Sequence, residues 1–256
     1  MFDDYQSDIN FYNDNFYILS FLQVMYLPTI YFIYNYMKDK QPINCKVYMG
    51  IWNCLLSVFS SYCFHYIVNP LIFSQHTLHD KICTDVVAYE NKELNRWRTF
   101  FVLSKFPEMI DTVWIALRKR KLTTLQLWHH FSVCLYCWLI VLQKTNNTYE
   151  NSIGGHGTFF AAMNSCVHMF MYGYYAAVSL TTFRSNSLAQ TITQFQTLQM
   201  LIGIIILMYR TYNCNPIELN YETIFSYIMY WSYLYLFVSY YISRYFVIDK
   251  NKIKSH

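Results

Sequence analysis

The chain has 256 residues, of which 55% are hydrophobic, 20% aromatic and only 13% charged. Those shares exclude an ordinary soluble domain, which is less apolar and carries about 25% charged residues. The net charge of +4 sits on short segments between apolar runs, as membrane insertion requires, so no nucleic-acid partner is implied.

Apolar runs near the roughly 20 residues that cross a bilayer recur at 16–36, 47–73, 99–117, 122–142, 157–180, 188–209 and 221–247. The expectation is an all-α, polytopic membrane protein with seven transmembrane helices. No internal repeat or long linker interrupts it, so residues 1–256 read as one domain. The opening MFDDYQSDIN is acidic and no Lys or Arg precedes Lys38, so the basic n-region of a cleaved signal peptide is missing. Segments 37–46, 118–121, 181–187 and 244–256 hold 12 Lys and Arg, against 6 in 1–15, 74–98, 143–156 and 210–220. The positive-inside rule then places the C-terminus and the RKRK run at 118–121 in the cytosol, and the N-terminus in a lumen. RKRK reads as a topology anchor or as a binder of anionic cofactor phosphates. The final KIKSH, with Lys252 and Lys254, resembles a dilysine signal for retrieval to the endoplasmic reticulum.

Of eight cysteines, only Cys83 and Cys214 fall in the expected lumenal segments, where a disulfide persists, and they are the expected pair. Cys134 and Cys137 form a C-x-x-C inside a span, which reads as small apolar packing rather than zinc or redox chemistry. A sequon at Asn146, Asn147 and Thr148 lies on the same expected lumenal side, close to a span.

Polar residues inside the spans carry the functional information. Span three, LSKFPEMIDTVWIAL, places Lys105, Glu108, Asp111 and Thr112 at i, i+3, i+6 and i+7, one helical face with a lysine and two carboxylates. Charges in a bilayer cost at least a few kcal/mol each and normally face a bundle interior, paired. The plain alternative is a Lys105–Glu108 salt bridge that only locks helices together. Pro107 should bend this helix, because it removes a backbone donor. Span four supplies Gln126, His129 and His130; span five has Asn164, His168 and Tyr172 at i, i+4 and i+8; span six has Thr193, Gln196 and Gln199 at i, i+3 and i+6. At a rise of 1.5 Å per residue, Asp111, Glu108 and Lys105 lie about 9, 14 and 18 Å from the cytosolic end of their span, His129 about 10 Å and His168 about 18 Å. Four helices thus bring polar groups to one layer, which argues for a water-excluded site.

In this order, the four motifs resemble the ELO family of very-long-chain fatty-acid elongases, the 3-ketoacyl-CoA synthases of the endoplasmic reticulum. Lys105, Glu108, Asp111 and Thr112 match K-x-x-E-x-x-D-T; QLWHH at 126–130 matches H-x-x-H-H except that Gln126 replaces the first histidine. Asn164, His168, Met171, Tyr172, Tyr174 and Tyr175 match N-x-x-x-H-x-x-M-Y-x-Y-Y, and Thr193, Gln196 and Gln199 match T-x-x-Q-x-x-Q. WNCLLSVFS in span two and SYLYLF in span seven also look like family segments. The resemblance implies seven transmembrane helices, six of them in a barrel around an acyl tunnel. It implies condensation of an acyl-CoA with malonyl-CoA to a 3-oxoacyl-CoA two carbons longer, CO2 and CoA. The wording of spans three and five most resembles the branch acting on saturated and monounsaturated chains. Membrane lipid, the ketoacyl-CoA reductase, the dehydratase, the enoyl reductase and a second copy of the chain are the candidate partners.

H-x-x-H-H also occurs in membrane desaturases, where many histidines hold two irons. Here Gln126 removes one imidazole, and only His65, His129, His130 and His168 lie in expected spans, too few for such a centre. Neither a metal nor another cofactor is expected. A water-excluded site favours neutral imidazole, which can act as base or nucleophile. The expected scheme has His129 attack the thioester to give an acyl-imidazole, with His168 assisting decarboxylation or enolate stabilisation and Asn164 and Gln196 donating hydrogen bonds. His130 would orient its neighbour, and Lys105, Glu108 and Asp111 would hold the histidines in register. A non-covalent scheme with His129 as general base stays open. So does a seven-helix receptor or transporter that binds lipid without turning it over.

Overall fold

The computed structural model describes residues 5–146, 155–214 and 221–247, and every element among them is helical. Among the described residues, three helices are long and apolar enough to cross a membrane: α2 (Phe16–Met37), α3 (Lys46–Phe73) and α10 (Asn186–Asn213). Their 22, 28 and 28 residues span about 33 and 42 Å at 1.5 Å per residue. Their outer faces leave Tyr31, Phe32, Ile72, Phe73 and Ile205 exposed, which water penalises and hydrocarbon does not. The chain is accordingly a membrane protein. Helices α8 (Thr124–Asn146), α9 (His156–Leu180) and α11 (Tyr221–Tyr241) have comparable lengths of 23, 25 and 21 residues. Helix α9 packs along α3, α10 lies against both α9 and α11, α11 against α8, and α8 against α6 (Lys92–Glu108).

The third expected span is two helices, α6 and α7 (Ile110–Leu117), with Met109 between them. Pro107 has no N–H to continue the ladder, and the backbone tightens to i→i−3 bonds, Met109 N–H to Phe106 O at 3.2 Å and Thr112 N–H to Met109 O at 3.2 Å. The expected bend therefore falls two residues beyond the proline. It re-aims everything after Glu108, so the four polar residues of this span do not share one face.

Two segments expected to be loops hold helices. Helix α1 (Tyr5–Asp14) lies against α8 through Tyr12, whose ring is 6.2 Å from that of Trp138. Segment 74–98 contains α4 (Leu78–Cys83), α5 (Val86–Glu90) and the first turns of α6. Thr77 and Asp80 form a reciprocal capping box at the start of α4, and Arg98 Nη1 meets Asp85 Oδ1 at 2.5 Å.

These short elements close one end of the bundle. The Gly155 amide donates to Thr84 O at 2.7 Å, and a methyl group on Gly155 would collide with the Lys81 carbonyl, so only glycine seats the start of α9 on α4. Cys83 of α4 is disulfide-bonded to Cys214 just after α10, their Cα atoms 5.3 Å apart. Cys134 and Cys137 are free and buried in α8. The sequon's Asn147 and Thr148 and the tail's Lys252 and Lys254 lie outside the described residues.

At the opposite end the RKRK run makes a tight turn. Lys119 has φ 52°, a left-handed conformation that costs a non-glycine residue energy. Its ammonium donates to the carbonyls of Lys38 and Lys40 at 2.8 and 3.0 Å, and Ile43 N–H bonds Leu117 O at 3.1 Å, which hold the turn in place. Lys119, Arg120 and Lys121 are exposed at this end.

Candidate active site

Burying Lys105 and Glu108 in the bundle, 2% and 3% exposed, is tolerable only if every charge is paired and hydrogen-bonded. Lys105 Nζ donates to both Glu108 oxygens at 2.8 and 3.0 Å and to Asn164 Oδ1 of α9 at 2.9 Å; Ser104 Oγ donates to Glu108 Oε1 at 2.9 Å. A lysine can only donate, so this contact settles which end of the Asn164 amide is its oxygen. Asn164 Nδ2 then donates to His168 Nε2 at 3.1 Å, which makes that nitrogen the acceptor and leaves the His168 proton on Nδ1, 3.7 Å from Glu108 Oε2. The salt bridge read from the sequence thus also fixes a histidine tautomer one helix away.

Past the break at Met109, Asp111 turns toward α3 and α9. It accepts from Tyr172 Oη at 2.8 Å and from Trp52 Nε1 at 3.0 Å. Thr112 faces the other way and shares a hydrogen bond with Tyr26 of α2 at 2.9 Å, fully buried. It tethers α7 to α2 and lies away from the cavity described next.

A cavity of about 470 Å³ lies between α3, α7, α8, α9, α10 and α11. His129, His130 and Gln126 line it from α8, Asp111 from α7, and Asn164, His168, Tyr172 and Tyr175 from α9. Thr193, Gln196 and Gln199 line it from α10. Of the motif residues, Lys105, Glu108, Thr112 and Tyr174 do not line it. His129 packs edge-on to His130 and against the Tyr233 ring of α11, with centroids 5.5 and 5.0 Å away. The Ser132 hydroxyl donates to the Trp128 carbonyl, so the single Tyr233 Oη proton is shared between Ser132 Oγ at 2.6 Å and the His129 carbonyl at 3.3 Å. Trp128 Nε1 donates to Ser232 Oγ at 2.7 Å. Helix α11 therefore holds the backbone and ring face of the histidine pair while their nitrogens stay unbonded to it; His130 Nδ1 is buried without a hydrogen-bond partner among the described residues. Gln196 Nε2 rests against the Met171 sulfur at 3.1 Å, a weak acceptor.

Several residues that shape the site lie outside the four motifs. Trp52 of α3 donates to Asp111, and its neighbour Asn53 lines the cavity. In the sequence, span two carries family-like wording, and its buried Asn53 obeys the same polar-in-membrane logic as the four motifs. Arg118 and Lys121 line the cavity where it opens, and Lys121 is itself exposed. The turn at Lys119 thus divides RKRK into one structural lysine, two cations that line the cavity, Arg118 and Lys121, and one exposed arginine, Arg120, that does not. His65 is apart from all this, beside Asn69 at 3.2 Å.

The family profile described as the GNS1/SUR4 (ELO) family matches residues 11–255, almost the whole chain. The chain belongs to this family. Its relatives include "Very long chain fatty acid elongase 4" of Trypanosoma cruzi, 31% identical over 239 residues, covering 88% of this chain and 79% of that one. "Very long chain fatty acid elongase 6" of Homo sapiens is 32% identical over 214 residues, 82% of this chain and 77% of that one. "Fatty acid elongase 3" of Trypanosoma brucei brucei is 31% identical over 249 residues, 84% of this chain and 79% of that one.

Proposed function

We propose that this member of the GNS1/SUR4 family is the condensing enzyme of fatty-acid elongation, joining an acyl-CoA to malonyl-CoA. One observation carries the reading. His129 and His168 stand on different helices of one cavity that has cations at its mouth, and His168 is held in a single tautomer by the Lys105–Glu108–Asn164 chain.

In the proposed reaction a ring nitrogen of His129 attacks the thioester carbonyl of the acyl-CoA. The C–S bond breaks, the other imidazole N–H proton goes to the departing thiolate, and CoA leaves as its thiol. Malonyl-CoA then enters, with its phosphates against Arg118 and Lys121. Its carboxylate leaves as CO2, and the electron pair stays on the thioester enolate, stabilised by hydrogen bonds from the Asn164 and Gln196 amides, while His168, its Nε2 accepting from Asn164 and its proton turned toward Glu108, positions Asn164. The enolate carbon attacks the acyl-imidazole, the C–N bond breaks, and His129 recovers its proton from solvent. The products are a 3-oxoacyl-CoA two carbons longer, CO2 and CoA. No step needs a metal or a further cofactor.

The same proposal places the chain in the endoplasmic reticulum membrane, N-terminus and disulfide lumenal, C-terminus and cavity mouth cytosolic, with seven spans and six in a barrel. The basic turn at the open end and the oxidised pair at the closed end support that orientation. The 3-oxo product would pass to a ketoacyl-CoA reductase, then a dehydratase and an enoyl reductase. Purified protein given palmitoyl-CoA and malonyl-CoA should form chain-extended 3-oxo product, and given acyl-CoA alone should gain the acyl mass on His129. No product at any acyl length would leave a lipid-binding protein instead, and product without any acylated histidine would sink the covalent route.

A further inference from the structure

Asn164, His168 and Tyr172 turn one face of α9 to the catalytic cavity; Ala162, Cys166 and Phe170 lie on the opposite face, where α3, α9 and α10 enclose a second cavity of about 420 Å³. Ala162 and Cys166, one turn apart, have small side chains and leave a low floor between Phe64 of α3 and Phe195 of α10. Of the fifteen residues described along it, Gln199 alone carries an amide, hydroxyl or charge. Ile72, Phe170, Phe195 and Leu198 line this groove and are exposed, so it opens on the bilayer-facing surface that also carries Ile205. Water does not fill an apolar cavity, and an empty one forfeits the contacts of its lining atoms. What the membrane supplies at this depth is hydrocarbon.

The groove covers the depth of one leaflet. Measured from the disulfide end at 1.5 Å per residue, its lining runs from about 1.5 Å at Ile72 to about 14 Å at Phe64 on α3, and from about 4.5 Å at Phe159 to about 21 Å at Phe170 on α9. Half the hydrocarbon thickness of a bilayer is about 15 Å. The middle of α10, Ile192 to Ile202, closes the deep half. There Val167 and Gln199 line both cavities, and Val167 directly precedes His168. We infer that the groove is a phospholipid site: one acyl chain from the disulfide-side leaflet lies along α9, and its methyl end supports the shared wall at Val167 and Gln199. The headgroup stays at the membrane surface, since no cation lines the groove to draw it in. An acyl-CoA, by contrast, has its charged part at the opposite, basic end of the bundle. The site stands without the proposed condensing function; its influence on turnover rests on that function.

The test titrates purified full-length protein in detergent with phosphatidylcholine that carries a diazirine at the end of one acyl chain, followed by irradiation and peptide mass spectrometry. Adducts at Met163, Cys166 and Val167 should saturate with added lipid, while those at Ile205 on the open outer surface keep growing. Cys166→Phe and Leu198→Trp fill the groove from its floor and its side, and each should bring the groove adducts down to the Ile205 level. Turnover of palmitoyl-CoA with malonyl-CoA should rise over the same lipid range in the unaltered chain and stay flat in both variants. Groove adducts that never saturate, or that survive in both folded variants, would overturn the site. So would their displacement by palmitoyl-CoA, which would assign the groove to the substrate's own tail. If both variants unfold, saturation and displacement in the unaltered chain decide alone. Turnover that climbs with lipid equally in variants lacking the adducts would overturn the support of the wall. No turnover at any lipid level would remove the condensing function, and the adducts would still decide the lipid site.

Discussion

The two sides of the cavity are built on different principles. On the α6–α9 side each polar group is committed: Lys105 to Glu108 and Asn164, Asn164 to His168, Tyr172 to Asp111. On the α8 side the histidines are held by what surrounds them, the ring of Tyr233 and the hydroxyl bond to the His129 carbonyl, while the side-chain nitrogens are left for something else. A saturated hydrogen-bond network makes a rigid frame but a poor reagent. A packed imidazole with uncommitted nitrogens is placed and still reactive. Under the proposed function, chemistry belongs on α8 and positioning on α9.

That contrast breaks most sharply at His129. Its replacement by alanine should lower condensation by about 10²–10⁴-fold with little change in melting, because the side chain makes ring contacts alone among the described residues; a large stability loss with retained turnover would reverse the two roles. The opposite signature is expected behind the other wall. Glu108→Gln strands a buried ammonium and should cost about 3–5 kcal/mol, read as a drop in the detergent melting temperature. The double change Lys105→Met with Glu108→Leu should cost less than Glu108→Gln alone, since the remaining side chains carry no charge; an equal or larger loss would mean that the pair does more than satisfy itself. Smaller again, Tyr172→Phe removes one donor from Asp111 and should cost about 1–3 kcal/mol, with the Trp52 bond as remaining support. Gln126→His tests the α8 side gently. It should leave acyl transfer to His129 in place, and adduct mass found on position 126 instead would show that Gln126 is what confines the reaction to its neighbour.

The least effect is expected far from either wall, at the cap of α4. Thr77, through its hydroxyl and then its amide, holds the Asp80 carboxyl below its ordinary value of 3.8. A group depressed on folding lends stability that is whole above its unfolded value and is lost as the pH falls through the folded one. Amide exchange in α4 should therefore quicken only below about pH 4, and Asp80→Asn should flatten that dependence.

Much of this was legible in the sequence. Long apolar runs located the large helices because a bilayer demands length and hydropathy together, and the motif residues could be placed in one layer because the helical rise is constant. The break at Met109 was not legible, since proline announces a bend without saying which later peptide absorbs it; consequently Thr112 was grouped with Asp111 although they point apart. Helices α1, α4 and α5 escaped because ten residues or fewer give too few turns for a periodic signal. Trp52 and Tyr233 escaped for another reason: each acts through one polar atom on an otherwise apolar ring, so neither stands out from the chain's 26 tyrosines or its apolar background.

The bridge between Cys83 and Cys214 joins residues 131 apart in sequence. During synthesis its second sulfur does not exist until α10 is complete, about 7–26 s after the first at 5–20 residues per second. Throughout that interval Cys83 waits as a thiol, able to pair wrongly with other thiols it meets. The Cys83–Cys214 bond itself is thus a timestamp: it can record only chains in which the two ends of the cavity's far rim have met, and a non-reducing gel in which Cys83→Ser and Cys214→Ser mark the unbridged position would report how many molecules have reached that stage.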